Sequence, residues 1–83
     1  MATLYVPNAA PLPLEPNNGR KFSLAELQSL VGGYVELVTV GHGNVLLVDE
    51  DGLEKQLPIN LAATDIAQHT IVGRAVFCKR NQI

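Results

Sequence analysis

The chain has 83 residues, and its six Lys and Arg against eight Asp and Glu leave a net charge of −2, which gives no general electrostatic drive onto DNA or an anionic membrane. Hydrophobic residues make up 47% and charged residues 17%, which excludes a disordered tail and leaves apolar surface to spare for self-association. The length admits a single domain, 1–83, and no stretch reaches the roughly 18 apolar residues of a membrane span.

Thr3-Leu4-Tyr5-Val6 is a short β-prone run without the basic stretch of a signal peptide, and it ends at Pro7. Pro11, Pro13 and Pro16 forbid helix and central strand alike, so 7–19 is expected as a Pro-rich loop. It closes at the turn signal Asn17-Asn18-Gly19, and its stiff prolines could lie on their own sheet or embrace a neighbouring subunit. Ser23 and Glu26 form a capping box, with Phe22 and Leu27 placed as a hydrophobic staple. Leu24, Leu27, Leu30 and Val31 then recur at helical spacing until Gly32-Gly33 stops the helix.

Tyr34 to Val40 is β-branched and mostly apolar on both faces, which predicts a strand in the middle of a sheet. A short Gly41-His42-Gly43-Asn44 connection leads to an antiparallel neighbour, Val45 to Val48. Asp49-Glu50-Asp51-Gly52 is expected as a solvated turn. Leu53, Lys55 and Leu57 alternate with Glu54 and Gln56, which predicts a wetter strand near an edge, ended by Pro58. Asn60 can cap a short helix running to Gln68, the favoured reading, or the segment could be an irregular crossover. Ile71 to Lys79 alternates as a last strand, in which Gly73 marks a bulge or a close backbone approach, and Arg80 to Ile83 is expected to fray. The order predicts an α+β domain, an antiparallel sheet of four to five strands with one main helix packed on one face and a second short helix.

Little in the sequence marks catalysis. His42, His69 and Cys78 lie at no metal-ligand spacing, the acidic turn lacks the oxygens of a calcium loop, and Gly41-His42-Gly43 leads into a strand where a phosphate loop needs a helix. No cofactor is implied. Cys78 lies in an apolar alternating run and reads as a buried, inert thiol of a reducing compartment. Each histidine reads as an exposed turn residue. Glu36 and Arg74 are charges in otherwise apolar strands; they could face solvent, pair with one another, or share a face that suits the hydroxyls and phosphate of a ligand. Tyr5 and Tyr34 could supply a stacking platform or fill a core or interface.

Leu27-Gln28-Ser29-Leu30-Val31-Gly32-Gly33-Tyr34-Val35-Glu36, the acidic turn Val48 to Gly52, Leu57-Pro58-Ile59-Asn60 and Ile71-Val72-Gly73 together span most of the chain. This pattern resembles a family of small phage and plasmid proteins classed as a domain of unknown function. Where that pattern carries a basic residue after Leu-Pro-x-Asn, this chain has Leu61. The resemblance implies a non-enzymatic accessory protein in the cytoplasm of a bacterial host. By analogy with the viral sponges that sequester nucleotide immune signals, the expected ligand is a cyclic ADP-ribose-like or cyclic dinucleotide signal, held between the subunits of a homo-oligomer. Tyr34 is then the stacker, with Glu36, Asn60 and Arg74 as polar ligand-binding residues. The alternative is an inhibitor that binds a host protein directly through an acidic, partly apolar surface. A nucleotide-cleaving enzyme is the weakest reading, since no base or metal set is visible.

Overall fold

A computed structural model describes residues 2–83. Its elements are β1 (Ala2–Tyr5), β2 (Leu12–Leu14), α1 (Leu24–Val31), β3 (Val35–Gly41), β4 (Asn44–Asp49), α2 (Leu61–Ala67), β5 (Ala75–Lys79) and a 3-10 turn at Arg80–Gln82. The strands form one antiparallel sheet in the order β2-β1-β5-β4-β3, which makes the molecule an α+β domain.

β4 is central because its alternate residues must be buried on both sides. Val45 and Leu47 join Val76 and Cys78 of β5, Ala2 and Leu4 of β1, and Leu27 and Val31 of α1 in one core. Leu46 and Val48 point the other way, into a second core with Ala63 of α2, Ile71 and Ala75. The sheet therefore carries α1 on one face and the shorter α2 on the other. The capping box forms as its residues require: Glu26 N donates to Ser23 Oγ at 3.1 Å and Ser23 N donates to Glu26 Oε1 at 2.9 Å.

Several expected elements change. The Tyr34–Val40 run is no central strand: β3 lies at the sheet's outer edge, with Glu36, Leu37 and Thr39 exposed, because β5 takes the inner side of β4. The Pro-rich segment contains β2, which pairs with β1 of its own sheet; the outermost position is where a strand can hold Pro13, having no amide to donate. The predicted strand over 53–57 is a coil of tight turns, with Lys55 N bonded to Asp51 O, Gln56 N to Leu53 O and Leu57 N to Gly52 O. Its apolar alternation reflects a turn that leaves Leu53 exposed. β5 begins only at Ala75, since Gly73 adopts φ +76° and breaks the run. A Cβ at Gly73 would stand 2.6 Å from Leu57 Cδ1, the close approach its glycine permits. The C-terminal residues are not frayed: Phe22 N donates to Gln82 O at 2.6 Å, and Ile83 packs against the first core.

Candidate functional site

Helix α1 ends where Gly32 takes a left-handed conformation at φ +89°, with Gly32 N and Gly33 N both donating to Gln28 O. No basic residue occupies its last turn, so the negative end of the helix is met by cations from elsewhere. Lys55 Nζ donates to Gly32 O at 3.2 Å and to Asp49 Oδ2 at 2.7 Å, and the Arg74 guanidinium lies beside Gly32. Asp49, at the end of β4, is buried, and its Oδ1 accepts from Asp51 N at 2.8 Å. Burial pushes the Asp49 carboxyl up, but the bonds from Lys55 and Asp51 outweigh it and hold the pKa below the ordinary value.

This corrects the expectation of a wholly solvated acidic turn. Asp49 continues the core-facing alternation of Val45 and Leu47, a signal present in the sequence, and its partner Lys55 arrives through the turn that replaced the predicted strand. Arg74 makes no ion pair among the described residues. With Pro7, Val31, Asp49, Leu57 and Pro58 it lines a cleft of about 280 Å³.

The four residues expected to bind a ligand line four separate hollows. Tyr34, 68% exposed, borders one of about 360 Å³ with Gln28, Asp51 and Lys55. Glu36 borders another of about 220 Å³ with Glu50, Leu53 and His69. Asn60 is buried and committed to structure: its Nδ2 donates to Tyr5 O at 2.9 Å and Gly73 O at 2.8 Å, and its Oδ1 accepts from Ala63 N at 3.1 Å as the cap of α2. Tyr5 packs edge-on against Phe77, with ring centroids 6.4 Å apart. His42 sits in the β3–β4 turn at φ +55°, His69 follows α2, and both are exposed. Among the described residues no group of three or more His, Cys, Asp or Glu could hold a metal ion. Cys78 is buried, and desolvation raises its thiol pKa.

The other feature that could do work is the outer edge of β3. Glu50 N donates to Tyr34 O at 2.8 Å, and in the register that sets Glu36 opposite Val48 and Val38 opposite Leu46, it is Tyr34, Glu36 and Val38 whose main-chain groups bond to β4. Val35, Leu37 and Thr39 therefore turn their amides and carbonyls outward. This edge is seven residues long, contains no proline and carries one charge, Glu36. The opposite edge, β2, is three residues long, centred on Pro13 and preceded by Pro11. Short length and proline are two of the means of closing an edge to further strands, and β3 has neither; its own devices are the single charge of Glu36 and the irregularity between Thr39 and Gly41.

The family described as a domain of unknown function, DUF3846, matches residues 3–82, and the chain belongs to it. No curated protein and no solved structure matches the chain.

Proposed function

We propose that this member of the DUF3846 family is a non-enzymatic interaction module, a phage or plasmid accessory protein that engages a host protein by taking a strand onto the open edge of β3. The observation that carries this reading is the inequality of the two sheet edges, one blunted by prolines and the other presenting the outward main-chain groups of Val35, Leu37 and Thr39. Strand addition draws affinity from the main-chain ladder and specificity from alternate side chains. Exposed Leu37 and Tyr34 supply the apolar and aromatic contacts. Binding of a host protein to the purified chain is expected to be lost with Leu37→Pro and kept with Arg74→Ala; the reverse pattern contradicts the reading.

A second reading, sequestration of a cyclic ADP-ribose-like or cyclic dinucleotide signal, is favoured by Arg74, a guanidinium that lines a cleft and has no ion-pair partner among the described residues. The spread of Tyr34, Glu36 and Arg74 over separate hollows makes it the weaker of the two. Thermal melting against a panel of such nucleotides separates them. A rise of several degrees with one compound, recovered intact and lost in Arg74→Ala, would establish sequestration; no shift is expected if the module works through β3.

A further inference from the structure

The geometry points to a second copy of this chain as the strand that β3 takes up first, the two β3 strands lying antiparallel about a twofold axis at Leu37; this rests on the reading of β3 as the working edge. The outward groups sit on alternate residues, so a ladder forms only in registers that oppose Val35, Leu37 and Thr39 to one another. A register centred at Glu36 places the two Glu36 carboxylates directly opposite each other, where like charges repel. One centred at Val38 moves Val35 opposite Gly41, beyond the irregularity between Thr39 and Gly41, and loses it from the ladder.

The register centred at Leu37 uses every outward residue. Leu37 faces Leu37 of the second copy and Val35 faces Thr39 in both directions, giving about six hydrogen bonds, two for each opposed pair. Glu36 then lies opposite Val38 of the second copy, so neither strand sets an acid directly against an acid. Leu37, 38% exposed in the single chain, is covered by its own counterpart on the axis. Val35, on the same face as Leu37, already packs against the first core, so that face continues across the axis through the paired leucines, while on the other face Val38 meets Glu36 of the second copy. The proline-bearing β2 edge takes no further strand, and the assembly closes at two copies, where a second open edge would build a filament. Uptake of a host strand is then an exchange for the second copy.

Sedimentation velocity of the purified chain over about a hundredfold range of concentration is expected to show a dimer that dissociates on dilution. Leu37→Pro removes an amide that makes no bond to β4, so it is expected to give a monomer with an unchanged circular dichroism spectrum. Leu37→Lys, which brings two cations together on the axis, provides a second route to the same monomer. Opposed residues of a hydrogen-bonded pair have Cα atoms about 5.5 Å apart, within disulfide reach. Chains carrying Leu37→Cys are therefore expected to cross-link under mild oxidation, and chains carrying Thr39→Cys are not; buried Cys78 does not compete. A chain monomeric at every concentration, a dimer that survives both Leu37 variants, or cross-linking through Thr39 in place of Leu37 would overturn the inference. None of these results closes the edge to a different protein, which the loss of host-protein binding in Leu37→Pro tests separately.

Discussion

Asn60 satisfies three main-chain groups with one amide: the part-buried carbonyl of Tyr5, and in buried contacts the carbonyl of Gly73 and the amide of Ala63. Removing it leaves those groups without partners, so Asn60→Ala is expected to destabilise the fold by about 3 kcal/mol in urea unfolding. Asn60→Asp keeps the cap but turns a carboxylate toward two carbonyls, and should be no better; if either variant kept wild-type stability, the residue's assignment to structure would fail. Its capping role was legible from its place before Leu61, whereas the two carbonyls it joins come from β1 and from the Gly73 turn, contacts that no local pattern encodes. Asp49 carries a pH dependence. Its folded pKa is lowered against the pull of burial, so its contribution is present above the ordinary carboxylate range and is lost as pH falls through the depressed value. Stability should drop as pH falls below the ordinary carboxylate range, and Asp49→Asn should lose less over that fall than wild type. An equal loss in both proteins would remove the Asp49–Lys55 pair from the account. Glu26 adds a dependence of the same sign, since its carboxylate is held low by the main-chain amides of Ser23 and Asn17.

The elements whose signals are local were readable from the sequence: the start of α1 from Ser23 and Glu26, its end from Gly32, and the helical cap at Asn60. Ser23→Ala is expected to cost about 1 kcal/mol, measured by chemical denaturation, because one first-turn amide loses its acceptor. Gly73 makes a harder demand: alanine there meets both a left-handed backbone and the Leu57 side chain, so Gly73→Ala should lower the melting temperature more than Ser23→Ala does. The reverse ranking would mean that Leu57 moves aside freely. Elements defined by tertiary pairing were less readable. Apolar residues on both faces of β3 resemble those of a central strand, and the sequence holds no sign that β5 would take the other side of β4. Leu53 and Leu57 alternate as a strand would, yet Asp49 capturing Lys55 coils the segment into turns.

For the whole molecule, the sheet has both faces covered, one edge closed by β2 and its prolines, and one edge open along β3. The apolar excess in the composition raises self-association as an expectation, but which surface it would use depends on which strand lies outermost, and that is decided by long-range pairing. In the same way, Tyr34, Glu36, Asn60 and Arg74 were chosen as unusual residues in their local runs, and the fold distributes them over separate hollows. On the proposed function, the edge of β3 binds a strand, beginning with that of a second copy. Amide hydrogen exchange resolved by residue distinguishes an edge that takes a strand from one that stays open. The amides of Val35, Leu37 and Thr39 should exchange quickly at low protein concentration and become protected as concentration rises, while those of Glu36 and Val38, bonded to β4, stay protected throughout. Protection of Val35, Leu37 and Thr39 that is absent at every concentration, or present and independent of it, would mean that β3 does not pair with a second copy.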